Sequence, residues 1–344
     1  MRLDVLCNDG SPLGVSERSI YGEDGRAGVG GAELALLTLC KGWHDKGYKV
    51  TLYNSPDVPN GSCFEQRGID EFSPFNPRDI LIIFRSPNMR IRDGANGLKV
   101  WWSCDQITVG DFKSFSNMVD KIVTISPYHS QYFSDVYGIH TSIPIDLPVR
   151  TWEYDLKKEK IPYRCIWNSI PDRGVDILSK VWARIVKEVP EASLVITSDW
   201  RLWTPRATES LVSPYKAMFS SLPNVSYTGA INRKQLIEYE LEAQLNLATN
   251  TYEELFCISI AECQVAGAYP VSSNSGAIRT TNMGKIFPGN PGDEHWQNEY
   301  VEYVIELLRN KKQLVRYNNK IQHKALSRFS LETVLAKWQD RIFN

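Results

Sequence analysis

The chain has 344 residues, 42% of them hydrophobic and 23% charged, which suits two domains of ordinary size, each able to bury its own core. A formal net charge of −1 argues against a polyanion such as nucleic acid as the main partner. No apolar run approaches the roughly 18 residues that span a bilayer, and an acid interrupts the opening Met-Arg-Leu-Asp-Val-Leu-Cys, which argues against a signal peptide; the expected location is the cytoplasm, free or peripheral at a membrane.

Residues 3 to 7 read as a first buried strand, followed by a long loop rich in Gly, Ser and Asp. Gly28-Val-Gly-Gly-Ala-Glu33 then feeds a helix carrying Leu34, Leu37, Cys40 and Trp43, and Gly47 precedes a strand at 49 to 53. The glycines partly imitate a dinucleotide-binding fingerprint. They come well downstream of the strand, however, and the second strand ends in Tyr53-Asn54 where an acid should meet a ribose. A simple tight turn at Gly30 and Gly31 is the alternative. Further strands are expected at 79 to 84, 99 to 102 and 121 to 125, with a helix entered at Ser126. Asp105, in Ser103-Cys-Asp-Gln106, sits where open α/β sheets place ligands, and is either a polar site residue or a helix cap.

Residues 147 to 162 form a charged, poorly periodic connection, read as a linker. The expected division is therefore 1 to 150 and 151 to 329, with a final helix at 330 to 344. A second alternation follows: a strand at 163 to 167, Pro171-Asp-Arg-Gly174, a helix with Leu178, Val181, Trp182, Ile185 and Val186, and strands at 193 to 197 and 225 to 229, after which a helix opens at Ala230 to Leu236 and Leu245-Asn-Leu-Ala248 leads into the next stretch. Alternating strands and helices of this kind build parallel sheets covered on both faces.

Residues 250 to 275 carry the most chemistry. Glu254 and Glu262 enclose seven residues; Ile258, Ala261 and Val265 recur at helical spacing until Gly267, and Tyr-Pro-Val starts a strand. Glu254 falls in a loop and Glu262 inside the helix. Free amides at Phe256, Cys257 and Ile258, with the helix dipole behind them, suit a diphosphate, and the acids suit pairs of sugar hydroxyls. The bland reading is an amphipathic core helix with two solvated glutamates. The last helix has Ser330 as N-cap and one face of Leu331, Val334, Leu335, Trp338 and Ile342. Seven cysteines, odd in number and without Cys-x-x-Cys, indicate neither a disulfide framework nor a zinc knuckle, and five scattered histidines indicate no metal site.

Glu254-x7-Glu262 followed by small-x-x-x-Gly-x-x-Pro-Val-x-x-Ser resembles the signature of retaining glycosyltransferases of the GT-B type, family 4. Gly-Gly-Ala-Glu resembles that family's glycine turn, which approaches the donor phosphates, and Pro-Asp-Arg-Gly resembles its Lys-Gly or Arg-Gly element. The resemblance implies two Rossmann-like domains facing across a cleft, with the C-terminal helix crossing back to the first, and transfer of a sugar from a nucleotide-diphosphate donor to a carbohydrate or glycoconjugate hydroxyl. It implies a catalytic set of Glu254, Arg173 and Asp105. It implies a donor set of Gly30, Gly31, Arg173, Ile231, Glu254, Phe256, Cys257, Ile258 and Glu262, in which Glu254 holds the transferred sugar, Glu262 the ribose and backbone near Ile231 the base. Arg173 would neutralise the leaving phosphates; an arginine exposed on a turn is its alternative. No cofactor beyond the co-substrate is implied, and no metal, in keeping with the lack of an Asp-x-Asp motif.

The sequence departs from the pattern in three places. Trp167-Asn-Ser169 stands where relatives carry a second basic residue, leaving Arg201 or Arg206 as candidates. Asn274-Ser-Gly-Ala-Ile-Arg279 replaces Gly-Gly-x-x-Glu, and Cys257 replaces a glycine. A sugar-nucleotide epimerase of the same architecture, or a degenerate scaffold binding carbohydrate or a partner, are the other readings. Base, sugar and acceptor stay open.

Overall fold

The computed structural model describes residues 1–7, 14–26, 28–91, 94–106, 110–197, 199–202 and 209–344. The chain divides into two units, one of Met1–Gly25, Val29–Pro148 and Leu331–Asn344, the other of Arg26–Gly28 and Val149–Ser330.

In the first unit, β1 (Arg2–Cys7), α1 (Glu17–Ile20), α2 (Gly31–Asp45), β2 (Lys49–Tyr53), β3 (Glu65–Arg67), β4 (Ile80–Phe84), β5 (Leu98–Trp102), α3 (Phe112–Ser116), β6 (Lys121–Thr124), α4 (Pro127–Tyr137) and β7 (Ser142–Pro144) follow in order. The seven strands form one parallel sheet, β3-β2-β1-β4-β5-β6-β7. β4, Ile-Leu-Ile-Ile-Phe, is buried at every position, as a central strand covered on both faces requires. Beneath the sheet Trp101 takes Phe112 and Phe115 edge-on, at 5.0 and 5.3 Å between ring centres. Strands β3 and β7, absent from the sequence reading, are three-residue edges without a buried run.

The second unit runs β8 (Arg164–Trp167), α5 (Val175–Glu188), β9 (Ser193–Ile196), α6 (Glu209–Ser220), β10 (Val225–Tyr227), α7 (Arg233–Glu242), β11 (Leu245–Ala248), α8 (Ile258–Val265), β12 (Tyr269–Ser273), α9 (Ile278–Thr281), β13 (Lys285–Phe287), α10 (Glu294–Arg309) and α11 (Lys311–Phe329). Its six strands are again parallel, in the order β10-β9-β8-β11-β12-β13. The apolar face of α5, with Leu178, Val181, Trp182 and Ile185, joins Trp167 of β8 and Tyr300 and Val304 of α10 in one core. The stretch expected as a linker is only partly solvated. Residues 155 to 159 are exposed, but a 3-10 turn at Thr151–Tyr154 buries Tyr154 and ties Arg150 to Glu153 at 2.7 Å.

The final helix, α12 (Leu331–Trp338), belongs to the first unit and ends in a π turn at Gln339–Phe343. It lies against α2, where Trp43 and Trp338 meet edge-on at 5.3 Å, and Lys337 reaches Asp146 at 3.2 Å.

Candidate functional site

In each sheet the strand order reverses once, between β1 and β4 in the first unit and between β8 and β11 in the second. Ligands of open α/β sheets bind beyond the carboxyl ends of the strands at such a reversal, because the two following loops part there. The loops that leave β8 and β11 carry Arg173 and Glu254.

Arg173 closes a 3-10 turn, Pro171–Arg173, and is 6% exposed, so the exposed-turn alternative does not hold. Its Nε donates to Glu254 Oε1 at 2.9 Å, one terminal nitrogen meets Asp172 at 2.9 Å, and the guanidinium carbon lies 3.5 Å from the centre of the Tyr252 ring. Burial pushes the Glu254 carboxyl upward and the charge and hydrogen bond of Arg173 oppose it.

Two glycines fix this register. Gly174 has φ +105°, and a Cβ there would sit 2.2 Å from the Thr249 carbonyl oxygen; Thr249 Oγ1 in turn donates to the Gly174 carbonyl at 2.9 Å. Gly276 has φ +56°, with a would-be Cβ 2.4 Å from the Glu254 carbonyl oxygen, which accepts the Ala277 amide at 2.6 Å. The segment that replaces Gly-Gly-x-x-Glu thus presses on the Glu254 backbone, and Ser273 and Ser275 also donate to the Asn250 carbonyl at 2.6 and 2.8 Å.

Asn250 itself is fully buried, and neither atom of its side-chain amide has a hydrogen-bond partner among the described residues. Leaving such a group unmet is unfavourable unless a ligand supplies the partner. Just beyond, α8 starts from Cys257, a non-glycine residue at φ +68° packed with Ala248, Ile260 and Ile278. Burial pushes its thiol up to about 12, so it stays protonated and packs. The amides of Phe256, Cys257 and Ile258 find no acceptor among the described residues. Cys257 is the N-cap and Ile258 the first residue of α8, so these donors lie at a helix start in the loop that leaves β11.

Glu262 is not the solvated acid of the bland reading. It is 4% exposed and meets Arg233 at 2.5 Å; Arg233 also binds Glu153 at 2.8 Å. Beside this group Glu240, fully buried, accepts from Tyr154 at 2.6 Å and from Asn168 at 2.7 Å. Burial first, then the charge of Glu262, raises the Glu240 carboxyl up to about 8. Ile231 is half-buried in the loop before α7. The adjacent Ala230 amide donates to Asp199 at 3.0 Å, and the same buried carboxylate holds Arg201 through Nε at 2.8 Å. Arg206 lies outside the described residues.

In the first unit, Gly30 is the N-cap and Gly31 the first residue of α2. Two residues on, Glu33 pairs with Arg85 at 2.8 Å, and Arg85 Nε lies 3.1 Å from Asp105. Arg85 directly follows β4 at φ +67°, its carbonyl held by Trp101 Nε1 at 2.8 Å. Asp105 caps no described helix; that role at α3 belongs to Asp111. Burial drives the His129 imidazole down to about 3, leaving it neutral.

The structure therefore joins Arg173 with Glu254, and links the start of α2 to Asp105 through Arg85. Sequence reasoning missed Arg85, Arg233 and Asn250. Arg85 and Asn250 share a signal, a polar residue within two positions of the end of a buried strand at a reversal of strand order. Among the described residues no helix is long and apolar enough to cross a membrane, and no group of three or more His, Cys, Asp or Glu is placed to hold a metal ion.

No family model and no curated protein matches the chain. Solved structures do. HepE from Anabaena, in complex with UDP-glucose, matches with a TM-score of 0.67 at 15% identity, over 98% of both chains. Sucrose-phosphate synthase from Thermosynechococcus elongatus gives 0.69 at 13% identity, over 98% of this chain and 97% of the other. A glycosyltransferase from Rickettsia africae gives 0.69 at 15% identity, over 98% and 96%. At these identities the likeness is one of fold, and the fold is GT-B: two Rossmann-like domains, each on a parallel sheet.

Proposed function

We propose that this chain is a retaining glycosyltransferase of the family 4 kind, moving a sugar from a nucleotide-diphosphate donor to an acceptor hydroxyl. The observation that carries this is the meeting of Arg173 and Glu254 at 2.9 Å beside the unengaged amides that open α8. A cation, a carboxylate and a row of backbone donors at a reversal of strand order answer the needs of a sugar diphosphate.

When the bond from the anomeric carbon to the diphosphate breaks, negative charge collects on the phosphate oxygens and positive charge on the ring. Arg173 and the amides of Phe256, Cys257 and Ile258 stabilise the first; Glu254 accepts hydroxyls of the transferred sugar and lies near the second. The acceptor oxygen bonds to the anomeric carbon from the face the diphosphate leaves, and its proton passes to the departing phosphate oxygen. Because Arg173 supplies the compensating charge, the reaction as proposed needs no divalent ion. Asn250 adds an amide to the donor site, and Glu262, held by Arg233, takes the ribose. In the first unit, the glycine turn at Gly30 and Gly31 serves the donor phosphates and Asp105 the sugars.

HepE is seen with UDP-glucose, so UDP-glucose heads the donors to test. The experiment is a screen of UDP-, GDP-, ADP-, CDP- and dTDP-sugars with mixed acceptors, followed by anomeric analysis of the product. A retained configuration supports the reading and an inverted one removes it. Donor incubated alone distinguishes an epimerase, which releases an altered sugar nucleotide without acceptor. Absence of thermal stabilisation by all five nucleoside diphosphates points to a binding scaffold instead.

A further inference from the structure

Helix α11 has an unusual charge pattern. Over Lys311–Phe329 it carries six Lys or Arg and no Asp or Glu, in a chain whose net charge is −1. Its inward face, Leu314, Asn318, Ile321, Ala325 and Phe329, is buried. On the outward face Lys312, Arg316, Lys320 and Lys324 recur every fourth residue, all exposed. That spacing stacks them in one slowly drifting row about 18 Å long. Among the described residues none of the four makes an ion pair or hydrogen bond. Val315, 51% exposed, lies beside the start of the row, and Leu326, 38% exposed, is a second exposed apolar residue of the same helix.

The bland account of a charged helix face is solvation, and neighbouring α10 shows what that looks like. Four glutamates there are interspersed with apolar positions, and the groove between α5, α10 and the start of α11 sets Arg184, Lys187, Arg309, Lys311 and Lys312 beside Glu188, Glu302 and Glu306. Beyond that groove Arg316, Lys320 and Lys324 have no acid on their own helix. A surface kept for solubility alone gains nothing from excluding every acid over five turns. A row of cations of which only Lys312 lines a groove, and that beside acids, does not suit a single small anion. It suits an extended flat anionic surface, into whose boundary Val315 and Leu326 can dip.

We propose that the outer face of α11 is a docking surface for an anionic lipid bilayer, holding the protein peripherally through headgroup contacts of Lys312, Arg316, Lys320 and Lys324. This is independent of the reaction proposed above. Each cation close to such a surface contributes a factor of about five in partitioning, so replacing all four with glutamine, which preserves helix propensity, removes on the order of several hundredfold.

The test is flotation of the full chain with vesicles of phosphatidylcholine alone or with added phosphatidylglycerol, for the wild type and for the K312Q/R316Q/K320Q/K324Q variant. Melting curves for both proteins check folding. The wild type is expected to float only with the anionic vesicles, less so as salt rises, and the variant to stay behind with an unchanged melt. The proposal is overturned if the wild type ignores anionic vesicles, binds neutral ones equally, or binds a single- or double-stranded oligonucleotide in their place. It is also overturned if the folded variant floats like the wild type. Should the variant unfold, the lipid selectivity of the wild type decides alone.

Discussion

Arg173 and Glu254, 81 positions apart, share a hydrogen bond of 2.9 Å, and each is fixed by a glycine neighbour that admits no side chain. If the pair serves the donor, Glu254→Ala and Arg173→Ala each lower transfer by on the order of 10²–10³-fold. Arg173→Lys keeps the charge but loses the planar fork, and is expected to recover only a small part of the rate. Initial rates with the screened donor, alongside melting curves, check this. Wild-type activity in a folded Glu254→Ala protein would take that residue out of the site.

Asn250 gives a sharper contrast. Its buried amide has no partner among the described residues, so Asn250→Ala removes no internal side-chain hydrogen bond. Stability should change by less than about 1 kcal/mol, or rise, because an unmet polar group is relieved. Donor affinity should nevertheless fall roughly tenfold as the ligand loses a hydrogen-bonding group. Denaturant titration and a donor saturation curve measure both. A stabilised variant with unchanged affinity assigns Asn250 to the scaffold.

Much of the fold was legible because its central strands are short apolar runs, such as Ile80 to Phe84, and because helices such as α5 carry one apolar face. Arg173 and Glu254 could each be singled out from local spacing, since a turn glycine follows the first and a helix start the second. Their meeting could not be read, because it depends on β8 lying beside β11. Arg85 and Arg233 were missed for the same reason: their acids are distant in sequence, Glu33 for the first and Glu153 and Glu262 for the second. Edge strands β3, β7 and β13 were illegible because three residues, at most one of them buried, make no periodic signal.

Gly276→Ala should test whether the segment after β12 governs Glu254. The new Cβ meets the Glu254 carbonyl oxygen and the Glu253 backbone, at a positive φ. Something must move, at about 2 kcal/mol or more. The expected outcome is a lower melting point together with a raised donor KM, because the displaced backbone carries the Glu254 side chain. By contrast Cys257→Gly relieves a residue at φ +68° while losing a small buried side chain, two effects of about 1 kcal/mol and opposite sign. It should remain within about 1 kcal/mol of wild type, and Cys257→Val, β-branched in a left-handed conformation, should fall well below both.

Glu240 sets a pH dependence whose direction follows from its burial. Its carboxyl rises from 4.5 up to about 8, driven by burial and by the charge of Glu262 and opposed by Arg233, Tyr154 and Asn168. Below the unfolded value both states hold the proton and nothing is lost. As pH climbs from about 4.5 towards about 8, the unfolded chain gives up its proton first, so the folded state loses stability across that window. Glu240→Gln removes the titration and can retain both contacts, the amide oxygen accepting from Asn168 and the amide nitrogen donating to the Tyr154 oxygen. Titrating groups that do not feel Glu240 are common to both proteins and cancel in the comparison, whereas Lys160, which burial lowers to about 7 against the opposing charge of Glu240, titrates in the same window. The two should melt alike near pH 5, and the variant should lead by about 3 °C or more at pH 8. A constant difference between the two melting curves across that range would show that Glu240 is ionised in the folded state throughout.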